Sequence, residues 1–383
     1  MNKTALISSF ILHPSSFMRM RIKDVAREAG VSTATVSHVI NKTRFVSDEI
    51  RERVLRAVER CNYYPNAHAR SLASGRSQIL GLLISDISNP FFPELVKSIE
   101  TAASESGYEV LLCNTNYDVD RTSSFVRRMI ERKVAGVALM TSELNVALID
   151  ELARRHVSVV FLDLGAPGVR MSNIAVNYEV GIEEAMRHLV ALGHQKIAYI
   201  GGPENLRSAA KRREAFGNYV SKHLRDAPPP SVYVGDFKLE GGRRAAWEML
   251  GANEMPTAIV AANDMMSLGA MRELRAAGVN IPRDVSIIGF DDIAFAALAE
   301  PPLTTICLPR VELGRRVVEA LLATIEHPEQ EGVEIRLPTY LVIRNSTGPA
   351  RTAPTKKAVR HKVKMEVKES ARQSPSSRTK KLT

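Results

Sequence analysis

From Ser77 onward the chain alternates short apolar runs with amphipathic stretches of helical spacing, and this restricts the fold more than any other feature. Strand-like runs fall at 79–85, 108–114, 136–140, 157–163, 196–202, 232–237, 258–263 and 285–291. Helical stretches such as 93–106, 179–192, 239–250 and 265–277 lie between them. Each parallel strand pair needs a crossover long enough to hold a helix, so the alternation predicts parallel sheets with helices on both faces. Eight or more strand units over about 270 residues fit two lobes better than one.

Residues 21–65 read differently. Ile22, Val25, Ala26 and Ala29 recur at helical spacing, and Gly30 is placed to end that helix. Ser32 is positioned to cap a second helix over 33–41, with Val36, Val39 and Ile40 inward. Ser47 is positioned to cap a third, whose Asp48 and Glu49 favour its positive end. Two helices joined by a short turn containing glycine form a helix-turn-helix, although composition alone fits a plain three-helix bundle equally well. Ser32, Thr35, Ser37 and Asn41 offer short donors suited to phosphates, Ser32 and Asn41 being equally suited to end-capping. Residues 66–76 could form two helical turns ending at Gly75, too short to be stable alone, and read as a linker that orders on binding.

The charge is uneven. Residues 351–383 hold eleven Lys and Arg against two Glu, and residues 19–76 hold twelve against six acidic residues. With a total of +10, the intervening body is acidic, so contact with a polyanion is expected at the ends only. The three cysteines, Cys61, Cys113 and Cys307, are widely spaced and read as reduced thiols of a cytoplasmic protein, not metal ligands. No run approaches the roughly 20 apolar residues that span a bilayer. The sequence lacks a Walker loop, a GxSxG elbow, an HExxH motif and a GxGxxG fingerprint, so neither an enzyme nor a cofactor is expected. The expected organisation is an N-terminal extension (1–18), a helix-turn-helix headpiece (19–65), a linker (66–76), a core of two lobes (77–349) and a basic, disordered tail (350–383).

Ligands of open α/β sheets bind beyond the carboxyl ends of strands. Asp86, Phe91, Phe237, Asn263, Asp264 and Asp291 follow such ends, and Arg212 lies on the helix after residues 201–203. Carboxylate, amide and guanidinium groups bond sugar hydroxyls, and an aromatic face covers an apolar ring surface. Asp264 and Asp291 could equally cap helices, and Phe91 could belong to the core.

The run from Ile22 to Asn41 closely resembles the headpiece of the LacI/GalR family of bacterial repressors. Tyr63–Ala73, Ser88-Asn-Pro-Phe-Phe-Pro93, Ile287-Ile-Gly-Phe-Asp-Asp292, Pro302-Leu-Thr-Thr-Ile306 and Leu341–Gly348 follow in matching order, so the resemblance covers about residues 20–348. It implies a homodimer on pseudo-palindromic double-stranded operator DNA, a hinge helix, and a periplasmic-binding-protein-like core holding a small-molecule effector. Thr33, Ala34 and His38 match base-reading positions, and Leu72 matches the hinge leucine that wedges into the minor groove. His38 stands where arginine is commoner, and lacks the bidentate fork of arginine. Phe91, Arg212, Phe237 and Asp291 match effector-contact positions, and the expected effector is a sugar or sugar derivative. The competing reading, a periplasmic sugar-binding protein, leaves residues 21–76 without a purpose.

Overall fold

The computed structural model describes residues 20–41, 43–63, 77–141, 146–252 and 254–351, in two compact units, Met1–Ser77 and Gln78–Thr383. Leu72 and the expected hinge helix lie outside the described residues, as does the chain beyond residue 351.

The first unit consists of α1 (Ile22–Ala29), α2 (Thr33–Asn41) and α3 (Asp48–Arg60). They close on Val25, Val36, Val54 and Ala57, all fully buried. Gly30 ends α1 in the left-handed region, φ 63°, which a side chain would resist. The Thr35 amide donates to Ser32 Oγ at 3.0 Å, capping α2 as expected. Ser47 precedes α3 but its hydroxyl makes no cap bond; Asp48 instead pairs with Arg51 at 3.0 Å.

The second unit holds two six-stranded sheets. Lobe 1 comprises β1 (Ile79–Ile84), β2 (Glu109–Asn114), β3 (Gly136–Met140), β4 (Ser158–Leu162), β5 (Met171–Asn177) and β11 (Glu334–Pro338), in the order β11-β5-β4-β3-β1-β2. Lobe 2 comprises β6 (Ile197–Gly201), β7 (Ser231–Val234), β8 (Ala258–Ala261), β9 (Ser286–Asp291), β10 (Thr304–Cys307) and β12 (Tyr340–Val342), in the order β12-β10-β9-β8-β6-β7. All neighbours pair in parallel except β10 and β12, which are antiparallel.

The eight strands read from the sequence are present, with ends displaced by up to three residues. Strands β5, β10, β11 and β12 are not among them. Buried Ser172 and Asn173 interrupt the apolar run of β5, because Ser172 Oγ accepts from the Val333 amide and Asn173 Oδ1 from the Leu164 amide. At the sheet edge, β11 exposes Glu334 and Pro338 while burying Leu337. The three-residue β12 is too short to carry a pattern.

Lobe 1 carries α4 (Phe91–Glu105), α5 (Val119–Glu131), α6 (Val146–Arg154) and α12 (Arg310–Glu326). Lobe 2 carries α7 (Tyr178–Ala191), α8 (Arg207–His223), α9 (Leu239–Gly251), α10 (Asp264–Ala276) and the short α11 (Ala294–Leu298). The chain crosses between lobes three times: from β5 into α7, from β10 into α12, and from β11 into β12. Buried Thr339 joins two of these crossings, its Oγ1 donating to the Asn177 carbonyl (2.7 Å) and accepting from the Gly181 amide (3.1 Å). Among the described residues, no helix is long and apolar enough to cross a membrane.

A buried histidine ties lobe 2 to the chain segment that follows β12. His194 Nε2–H donates to the Gly348 carbonyl (2.9 Å), and Nδ1 lies 3.0 Å from Thr257 Oγ1, a hydroxyl that also reaches the Lys196 carbonyl at 3.2 Å. Burial lowers its pKa from 6.5, so the fold favours the neutral ring. A base with a lowered folded pKa contributes fully above its unfolded value and loses that contribution as pH falls. Thermal midpoints are therefore expected to drop between about pH 7 and pH 5, and H194Q to show a shallower slope in differential scanning calorimetry. An unchanged slope in H194Q refutes the assignment.

Candidate ligand cleft and nucleic-acid interface

In the first unit, α2 presents Ser32, Thr33, Ala34 and Asn41 as exposed residues on its start and end, while Thr35, Ser37 and His38 are half-buried. Asn41 Nδ2 donates to Ser37 Oγ at 3.1 Å, and His38 Nδ1 lies 2.8 Å from Thr43 Oγ1. That contact fixes the imidazole and leaves Nε2 as its second polar atom. His38 shares a concavity with Arg44, Phe45 and Arg51. None of these three stood out in the sequence, because loop residues have no period; Phe45 is 90% exposed, unusual for so large an apolar side chain.

In the second unit, the carboxyl ends of strands from both lobes border an open cavity. It lies where strand order reverses, between β1 and β3 in lobe 1 and between β6 and β8 in lobe 2. Phe91, Arg212, Phe237, Asn263 and Asp291 all line it.

Arg212 is the centre of the lobe-2 wall. One guanidinium nitrogen donates to the Ala262 carbonyl and Nη2 to Asp291 Oδ1 at 3.2 Å, while the buried Nε has no hydrogen-bond partner. The guanidinium lies over Phe290 (4.0 Å) and near the rings of Tyr178 (5.3 Å) and Phe237 (5.6 Å). Burial pushes the Asp291 carboxyl up to about 6, opposed by Arg212 and Arg310, so it is still mostly ionised at neutral pH. Asp291, at the end of β9, has φ 109°, and Phe237, three residues past β7, has φ 61°, both in the left-handed region that side chains resist. Gly202 makes room for Phe237, since a Cβ there would lie 2.4 Å from the ring. Asn263 caps α10 by accepting from Met266 N (3.0 Å) and holds the Phe237 carbonyl through Nδ2 (2.8 Å).

Asp86 and Asp264 are not in the cavity wall. Asp86 Oδ1 accepts from the Ser88 amide and hydroxyl at 2.9 and 2.6 Å, shaping the turn before α4. Asp264 accepts from Ile293 N (2.8 Å) and Thr305 Oγ1 (2.5 Å), bracing the ends of β9 and β10 beneath the cleft. Gly289 permits this, as a Cβ there would meet Asp264 Oδ1 at 2.1 Å.

The lobe-1 wall adds Asp163, a residue sequence reasoning passed over as a strand end. Its carboxylate accepts from the Tyr178 hydroxyl (2.7 Å), the Val176 amide (3.0 Å) and Lys211 Nζ of lobe 2 (2.9 Å). Arg207 also reaches across, donating to the Leu164 carbonyl at 3.3 Å. Among the lining residues, Asp163 and Asp291 balance Arg207 and Arg212, so the wall carries no net formal charge. Among the described residues no cluster of His, Cys, Asp and Glu could hold a metal ion.

The profile of bacterial regulatory proteins of the lacI family matches residues 21–66, and that of a periplasmic binding protein-like domain matches residues 186–347. The HTH-type transcriptional repressor PurR of Aliivibrio salmonicida is 36% identical over 326 residues, covering 85% of this chain and 98% of the relative. The crystal structure of the lac repressor dimer bound to operator and the anti-inducer ONPF superposes with a TM-score of 0.76 at 30% identity, covering 86% of this chain and 99% of that one. A LacI family transcriptional regulator from Enterococcus faecium with bound ribose gives a TM-score of 0.65 at 31% identity, covering 71% and 100%.

Proposed function

Since the chain belongs to the lacI family of bacterial regulatory proteins, we propose that a neutral, polyhydroxylated ligand, a sugar or sugar derivative, controls its repressor function from the cleft between the lobes. The chain is a DNA-binding transcriptional repressor with an effector-binding, periplasmic-binding-protein-like core. The observation that carries the ligand class is Arg212, buried with a free Nε, beside the Asp291 carboxylate and the Phe237 ring in a wall of balanced charge. Hydroxyls can accept from the guanidinium and donate to the carboxylate, while the ring covers a C–H face. A strongly charged ligand would upset the balance at a desolvation cost.

On the DNA side, two copies would place α2 in successive major grooves of a pseudo-palindrome. Thr33, Ala34 and His38 would face base edges, with Ser32, Thr35, Ser37 and Asn41 toward phosphates. Leu72 would wedge the minor groove at the centre. Lobe closure on the ligand would change the spacing of the two headpieces, and a coupling of about 1–3 kcal/mol is enough to regulate.

The test is operator selection from random DNA at fixed salt, followed by titration with neutral sugars and, separately, nucleobases. A sugar that shifts operator affinity about tenfold, or 1.4 kcal/mol, supports the reading. Action by a nucleobase alone keeps the regulator and overturns the sugar.

A further inference from the structure

We propose that Arg310 is the positioning residue of the effector cleft, gripping the main chain at Asp291 and Asp292 from a lobe-1 helix and so holding the Asp291 carboxylate toward Arg212. This rests on reading the cleft as the effector site and adds a residue that does not itself line it.

Arg310 opens α12, immediately after the crossing from β10. Its side chain is 13% exposed and uses all three guanidinium nitrogens. Nη1 donates to the Asp291 carbonyl, Nη2 to the Asp292 carbonyl at 2.6 Å, and Nε to Glu94 Oε2 at 2.8 Å. The two carbonyls belong to consecutive residues with positive φ, 109° and 54°. Such a backbone is strained for a side chain other than glycine and persists only where neighbours hold it. A planar fork with fixed donor directions can hold two adjacent carbonyls; a lysine ammonium cannot reproduce that geometry. The Asp292 side chain is held separately, by Arg344 at 2.7 Å.

The third bond reaches the opposite wall. Glu94 lies one helical turn after Phe91, which lines the cleft. The chain Phe91-bearing helix, Glu94, Arg310, Asp291, Arg212 therefore runs from one lobe to the other beside the ligand cavity. The Glu94 carboxylate is 40% exposed, so its ion pair contributes little stability; its effect is to orient the fork.

Groups facing Asp291 are Arg212 on α8, Arg310 on α12, Asp264 on α10, Tyr178 on α7 and the adjacent Asp292. Arg212 and Arg310 stabilise the ionised carboxylate, while burial opposes it.

The test uses the full-length, ligand-free protein with 13C-labelled aspartate, the Asp291 signal being identified by its loss in D291N. In R310Q the Asp291 titration midpoint is expected to rise by about one pH unit, because a nearby cation is lost. In R310K the charge stays and the midpoint should stay near that of the parent. The Asp291 Cα and Cβ shifts should move in both variants, since neither can grip two carbonyls. An unmoved midpoint in R310Q, or parental Cα and Cβ shifts in both variants, overturns the proposal. A sugar panel without any effect would instead sink the effector reading and leave these shifts unaltered.

Discussion

Replacing Arg212 with methionine is expected to destabilise the core by about 3–5 kcal/mol at pH 7, the usual cost of leaving one member of a buried ion pair alone, and to erase ligand control of operator binding. Methionine fills comparable apolar space, so the loss reports charge more than volume. Without the guanidinium, burial and the neighbouring Asp264 would push the Asp291 carboxyl above its present value of about 6. A carboxyl with a raised folded pKa favours the folded state below its unfolded pKa and loses that advantage as pH rises through the folded value. The deficit of R212M should therefore grow from about pH 4 to neutrality. Adding D291N should recover most of it, because no unpaired charge then remains. The single tryptophan, Trp247, lies in lobe 2 and reports urea unfolding by fluorescence. A loss below about 1 kcal/mol at pH 7, the size of a surface pair, would show that the pair is not buried as described.

Replacing Val36 with aspartate is expected to abolish operator binding, by at least about 100-fold or 2.7 kcal/mol, while leaving the core intact. Val36 is fully buried among the three helices, with 0% of its surface exposed. A lone carboxylate there costs several kcal/mol, and a domain built on seven buried apolar residues has little stability in reserve. Because residues up to Ser77 and those from Gln78 form separate compact units, the Trp247 unfolding transition should stay in place. Fluorescence anisotropy with labelled operator reads the first effect. Retained binding would mean that the packing of α2 is not what presents its DNA-facing side.

The sequence was legible where one element satisfies its own needs. The periodic spacing of Val25, Ala26 and Ala29, and the cap of Ser32 on Thr35, are local, and the structure reproduces both. Buried strands such as β1 and β3 announce themselves by uninterrupted apolar residues. Legibility failed where distant segments complete each other. Ser172 and Asn173 look like loop residues until Val333 and Leu164 supply their partners. Asp163 meets Lys211 and Glu94 meets Arg310 across 48 and 216 positions, and no periodicity marks such pairs. Asp264 has the residue type and position of a ligand contact, yet a glycine on the facing strand lets it turn into the floor.

The last crossing has a consequence for how the protein is made. Strands β11 and β12 occupy the outer edge of each sheet and are separated by Thr339 alone. During translation the headpiece leaves the ribosome first, whereas neither lobe can complete its sheet until residues 334–342 emerge. Until then β5 and β10, interior strands of the finished sheets, stand as bare edges, which invites pairing with other chains. A premature stop shortly before residue 334 would strip one strand from each lobe at once, leaving a folded DNA-binding unit attached to an aggregation-prone core.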